Sequence, residues 1–237
     1  PVRDISNQQF QKEGNPGLKP EFSHSVNLSY NSFSFTKASS LFSSIGFNTI
    51  QNKIVNNSIL LDTSGAQLSR PQNLNGFYSI NGFYNYSKAF DKNKYAVKLN
   101  GSFQYYHNAV LVNSEKVSGN NLFLSQGLEF TYKNNKWLEF GIEALYTLTS
   151  VTNLITKANK SNSSTWIFST NLSMDLPYNT VIKYDFEKLV NIGFDESINK
   201  DLNLLNISIE KKLLKKKSLY ISFTVPIPDI IPAAIMA

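Results

Sequence analysis

The amino-acid sequence predicts an all-β chain, an antiparallel up-and-down meander of about ten long strands. Three observations carry that reading. The first is long polar/apolar alternation. From Tyr95 to Asn108 one parity reads Tyr95, Val97, Leu99, Gly101, Phe103, Tyr105, His107, and the other reads Ala96, Lys98, Asn100, Ser102, Gln104, Tyr106, Asn108. A period of two means a strand with two unlike faces. At roughly 3.3 Å per residue it spans more than about 40 Å, whereas strands in water-soluble proteins usually hold about five or six residues. The second is that such stretches come in pairs joined by short turns. The third is that long polar connections separate the pairs.

The strands are expected, in order, at Phe22–Phe33, Leu41–Ile54, Phe77–Phe90, Tyr95–Asn108, Leu122–Tyr132, Leu138–Ser150, Thr165–Leu176, Thr180–Lys188, Leu204–Lys211 and Ser218–Val225. Leu122, Leu124, Gln126, Leu128, Phe130 and Tyr132 share one face, as do Leu138, Phe140, Ile142, Ala144, Tyr146 and Leu148. The eighth and ninth strands alternate less cleanly. Short turns follow every odd-numbered strand of this series. Long connections, Val55–Gly76, Ala109–Asn121, Val151–Ser164 and Leu189–Asn203, follow the even ones.

Strands this long, apolar on one side and rich in Asn, Ser, Thr and Lys on the other, are what a transmembrane β-barrel requires. Short turns at one end and long loops at the other match an outer-membrane barrel, whereas a Greek-key sandwich mixes loop lengths at both ends. A hydrophobic content of 41% is low while 13% is aromatic, with 17 Phe and 12 Tyr. A polar lumen and interfacial aromatic girdles account for both. No apolar run approaches the length of a membrane-spanning helix.

Parity also fixes register, because a slip of one residue flips a strand. Odd loops are expected at Asn134-Asn135-Lys136 and at Pro177-Tyr178-Asn179, and an even loop between Phe90 and Tyr95. Tyr84, Tyr86, Val97, Leu99, Leu128, Phe130, Phe140, Ile142, Phe168 and Leu172 should point to one side. Asn81, Asn85, Lys98, Asn100, Glu129, Glu143, Asn171 and Lys183 should point to the other. The flanking segments read as an irregular lead-in over 1–21 and a Pro-rich tail over 226–237, around a barrel segment at 22–225. The sequence does not open on a basic n-region followed by an apolar h-region, so the chain reads as mature or truncated. The first and tenth strands are expected not to pair, leaving a curved open sheet.

The net charge of +6 resides largely in Asp91-Lys92-Asn93-Lys94, Lys133-Asn134-Asn135-Lys136 and Lys211–Lys217. These lysines punctuate turns rather than line one face among aromatics, so no nucleic-acid partner is expected. With no Cys there is no disulfide framework or thiolate metal site.

Gly14-Asn15-Pro16-Gly17-Leu18-Lys19-Pro20-Glu21-Phe22-Ser23-His24 resembles the Asn-Pro-x-Leu-Lys-Pro-Glu signature of TonB-dependent receptors, in particular the outer-membrane β-barrel proteins of Bacteroidetes. Ser69–Gly76 and Leu205–Lys217 resemble the C-terminal half of that family's barrel. The similarity covers most of residues 1–225. It implies a barrel of about 22 strands with a plug and a TonB box, in the outer membrane of a Gram-negative cell, importing a scarce ligand. The implied partners are outer-membrane lipid, the remainder of the receptor (plug and early strands) and TonB acting through the plug. The alternatives are a small self-contained barrel serving as a passive channel or structural surface protein, and a soluble β-sandwich. Of the motif itself, the bland reading is a rigid loop-to-strand junction.

No catalytic or cofactor pattern emerges. His24 and His107 lie on the apolar parity near the loop end, where an amphipathic ring suits an interface. No nucleophile elbow, clustered ligand set or phosphate-binding glycine pattern is present, so neither an enzyme, a metal nor a cofactor is expected. Glu129, Glu139, Glu143, Asp175, Asp185 and Glu187 share the polar parity with Lys98 and Lys183. Lys98, Glu129, Glu143, Lys183 and Asp185 are the ligand-binding candidates, as lumen groups that either pair across water or line a charged path.

Overall fold

The computed structural model describes residues 2–61, 65–134, 137–153, 159–195, 198, 200–212 and 220–228. One sheet contains all the strands: β1 (Arg3–Asp4), β2 (Phe10–Glu13), β3 (Phe22–Ser34), β4 (Ser39–Gln51), β5 (Lys53–Leu60), β6 (Gln67–Leu74) and β7 (Phe77–Phe90), then β8 (Tyr95–Val112), β9 (Glu115–Asn134), β10 (Leu138–Asn153), β11 (Asn159–Leu176), β12 (Thr180–Ile192), β13 (Asp201–Lys212) and β14 (Tyr220–Pro228). The expected meander is its backbone. β3, β4, β7 and β8 through β14 pair antiparallel in that order.

The turn parities hold. Leu176 faces Thr180 across Pro177-Tyr178-Asn179, and Phe90 faces Tyr95 across four residues. After β9, Asn134 pairs with Leu138, so the pairing is shifted by an even step from the one expected around 134–136 and keeps both faces. The lysine run at 213–219 lies outside the described residues. Among the described residues β3 pairs only with β4 and β14 only with β13, so the sheet is open, as expected.

Four expectations need correction. The long connections are mostly strand. Within 55–76, β5 and β6 pair antiparallel, and 109–121 continue β8 and β9 to a turn at Asn113 and Ser114. Both turn residues have positive φ (50° and 66°), the geometry that matches hairpin twist. Beyond the bilayer both faces of a hairpin meet water, so the alternation that marks a strand fades. The second expected strand breaks at Asn52 (φ 54°), whose N–H donates to Asn75 Oδ1 (2.6 Å) and whose carbonyl accepts from Asn73 Nδ2 (2.6 Å). Not every pair is antiparallel, since β2 runs parallel to β6 and β5 to β8. β14 continues to Pro228, with Pro226 opposite Asn206. An edge strand accommodates proline because one of its sides makes no ladder bonds.

Within residues 1–21, β1 and β2 form a short hairpin against β6. The Asn-Pro-Gly-Leu-Lys-Pro-Glu segment is a hydrogen-bonded junction between this upper layer and β3. Asn15 Nδ2 donates to the Pro71 carbonyl (2.9 Å), Lys19 exchanges two bonds with Asn73 (2.7 and 2.8 Å), and Glu21 accepts from the Ile54 N–H. The rigid-junction reading of the motif describes what these residues do.

The core sits at one end of the sheet, around β5 and β6. Among the described residues the buried apolar side chains are Ala66, Leu68, Phe77, Ala109 and Leu111, all around β5, β6 and the upper end of β8. The ten-stranded wall has no dry core. Val26, Leu28, Ile45, Leu128, Ile142, Phe168 and Ile209 all lie open on one face. A sandwich would bury them, and that reading is excluded.

Candidate functional site

Register assigns each side chain to a face. Tyr86, Leu99, Leu128, Ala144 and Phe168 form one row across β7–β11, and Val97, Phe130 and Ile142 form the next. The opposite face carries Asn81, Asn85, Lys98, Asn100, Glu129, Glu143, Asn171 and Lys183, so every residue of the two expected sets lies on its expected side. At the lower end of the apolar face the Tyr95 and Tyr132 rings lie 5.2 Å apart, tilted by 39°, beneath Lys94. At its upper end Tyr78 lies against Tyr105 (6.0 Å) and His107 (5.1 Å). Tyr95 to Tyr105 is about 33 Å of strand, which at a tilt of ~45° projects to about 23 Å, the height of a barrel's apolar band. His107 Nδ1 lies 2.6 Å from Asn120 Oδ1, an interfacial ring with one wet side. Gln126 is a polar residue on this face. Tyr84 reaches it over Gly101, hydroxyl to Oε1 at 2.5 Å, while its Nε2 donates to the Asn100 carbonyl (2.9 Å).

The polar face is the candidate site, because in a closed barrel it turns to the aqueous lumen. Lys98 binds both oxygens of Glu129 (2.8 and 3.0 Å), and Thr131 Oγ1 also donates to Glu129 (3.1 Å). Glu143 stands directly opposite Glu129, like charges in a position that ordinarily destabilises. The Lys98 clamp offsets one of the two. Beside them lies a shallow cavity of about 140 Å³ bounded by Glu129, Glu143, Ser169 and Asn171. It opens because residue 141 is Gly; a Cβ there would come 2.2 Å from Asn171 Oδ1. Lys183 pairs with Glu210 (2.7 Å), and Lys133 with Glu139 (2.9 Å). Asp185 sits apart, between Asn171 and Asn206.

Of the five sequence candidates, then, Lys98, Glu129 and Glu143 come together, and Lys183 and Asp185 occupy other rows. Glu210 was missed. It lies on the weakly alternating ninth strand of the sequence reading, and the parity of Ile207 and Ile209 was the signal that would have found it. Polar-parity aromatics, Phe42, Phe83, Tyr106 and Phe123, were also passed over. Among the described residues no three His, Cys, Asp or Glu are grouped to hold a metal ion.

A model of the outer membrane protein beta-barrel family matches residues 1–150. No curated protein and no solved structure matches the chain.

Proposed function

The chain belongs to the outer membrane protein beta-barrel family, and from that premise we propose that it forms part of a TonB-dependent receptor. Family membership supports an outer-membrane location, and in this reading the cell is Gram-negative and the apolar face meets lipid. In this reading the upper hairpins β5–β6 and β8–β9 capture a ligand outside the cell. The polar face borders its passage, and a plug elsewhere in the receptor couples it to TonB. The chain performs no chemistry on its cargo. The observation that carries the reading is the polar face of the meander, whose outermost strands do not pair with each other among the described residues. Such a wall suits a wide lumen more than a small barrel filled by its own side chains.

The test is passage of L-arabinose through the whole receptor reconstituted in liposomes. A plugged receptor keeps the vesicles from swelling, and deleting the plug opens them. Swelling with the intact protein would instead identify a passive channel.

A further inference from the structure

The apolar parity of β7–β10 carries cations without anions. No carboxylate stands on it, yet Lys88 does, opposite Val97. An ammonium set among apolar side chains extends its stem toward the interface. Lys88 does so, with its Nζ over the Phe90 ring, 5.0 Å from the centroid. Lys94, in the turn between β7 and β8, places its Nζ 5.7 Å from the Tyr95 ring and 5.9 Å from that of Tyr132. Phe90 faces Tyr95 and Tyr95 faces Tyr132, so the two ammoniums cap one row of three rings. Among the described residues neither forms an ion pair, not even with Asp91 of the same turn. β3–β4, β7–β8 and β11–β12 turn within a few residues at this rim, while β8 and β9 run on to Val112 and Glu115 at the other, which makes this rim the periplasmic one.

Just above the rings the lipid face is hollowed. Ala144 is the small member of the row that holds Leu99, Leu128 and Phe168. Val97, Leu128, Phe130, Ile142 and Phe168 rise around it and bound about 420 Å³. That lies within the roughly 300–1,000 Å³ of sites that hold a small molecule. Leu128 and Phe168 remain 50% and 44% exposed, so the hollow opens to the bilayer. From Tyr95 to Leu99 is about 13 Å of strand, or about 9 Å of depth at a tilt of ~45°, inside the ~15 Å that one leaflet's chains occupy.

We propose that this rim binds one anionic phospholipid of the inner leaflet, with its phosphate between Lys88 and Lys94 and an acyl chain in the hollow at Ala144. A phosphate diester only accepts hydrogen bonds, and two ammoniums offer it donors and charge together. A hollow walled by aliphatic and aromatic groups receives methylenes. A zwitterionic lipid shares the phosphate but brings a third ammonium to the two already there, and a soluble anion lacks the chain. The proposal needs membrane placement alone, so it stands or fails independently of the receptor reading.

The experiment is native mass spectrometry of the whole protein released from micelles that contain equal phosphatidylglycerol and phosphatidylethanolamine. The expected result is one retained phosphatidylglycerol, favoured about tenfold over phosphatidylethanolamine. The double change Lys88→Gln with Lys94→Gln should make the two lipids equal. Ala144→Phe, which fills the hollow, should weaken phosphatidylglycerol retention about tenfold while preserving heat-modifiable migration on a gel, the sign of a folded barrel. Lys133→Gln, beside Tyr132 but on the polar parity, should change nothing. Equal retention of the two lipids by the wild-type protein would overturn the proposal. So would an undiminished preference in the folded double variant, undiminished retention in the folded Ala144→Phe variant, the same loss with Lys133→Gln, or displacement of the lipid by glycerol phosphate.

Discussion

The polar side of β3, β4 and β7 and the polar side of β8–β13 belong to one sheet, share one lipid requirement, and yet differ in kind. The first is hydroxyl, amide and aromatic. The second carries Lys98, Lys133 and Lys183 among Glu129, Glu139, Glu143, Asp175, Asp185, Glu187 and Glu210. The apolar face crosses the boundary unchanged, from Val26 and Ile45 through Leu128 to Phe168. Lipid therefore constrains one parity of every strand, and the other parity is free to follow what the barrel admits. The net charge of +6 conceals this, because the lysines at turns outweigh an acidic wall.

The largest effect should come from putting the wrong parity in lipid. Leu128→Arg should destabilise by about 2–4 kcal/mol in denaturant titrations in vesicles, while Ser125→Arg, on the polar face of the same strand, should change stability by less than about 1 kcal/mol. Equal losses would erase the distinction between the faces.

The upper layer comes next. Asn57, fully buried, donates to Ser114 Oγ (3.0 Å) and accepts from the Ser114 N–H (3.0 Å), holding the β8–β9 turn on β5. Asn57→Leu should lose about 1–3 kcal/mol. Hydrogen exchange should quicken at Ser114 and Leu60 without quickening in the wall at Leu99. Tyr84→Phe removes the hydroxyl that satisfies lipid-facing Gln126 and should lose about 1 kcal/mol, with Gln126→Leu restoring it.

The smallest stability effect is expected from Lys98→Met. Lys98 and Glu129 are 51% and 29% exposed, so the pair contributes less than about 1 kcal/mol. Its consequence is electrostatic, since Glu129 and Glu143 then face each other without a cation. Reversal potentials across a bilayer containing the barrel should shift toward cation preference, and the matching change Ser87→Met in the neutral sector should leave them where they were.

Most of the membrane wall was legible because lipid imposes a strict period of two. Phe77–Phe90 carries the same bounds in sequence and structure, and Leu176 and Thr180 face each other as parity requires. What was not legible lies outside the bilayer. Pro71 in β6 reads as a loop residue, yet it pairs with Asn56, beyond the point where β2 stops pairing at Ser69, and its carbonyl is capped by Asn15. The parallel contacts of β2 with β6 and β5 with β8 join segments far apart in the chain, and no local pattern records them. In the site, parity gave the face of Lys98 and Glu129, and only register showed that they meet while Lys183 turns to Glu210.

Alternate residues of one strand face lipid and water. A chain without native cysteine allows a direct measurement: single substitutions Leu128→Cys and Glu129→Cys, labelled in vesicles with a membrane-impermeant maleimide and scored again for quenching by spin-labelled lipid. The Glu129→Cys variant should be labelled from water and unquenched, and the Leu128→Cys variant should resist the aqueous reagent and be quenched by lipid once labelled under denaturing conditions and refolded. Protection of both sites from both phases, or the reverse pattern, would contradict it.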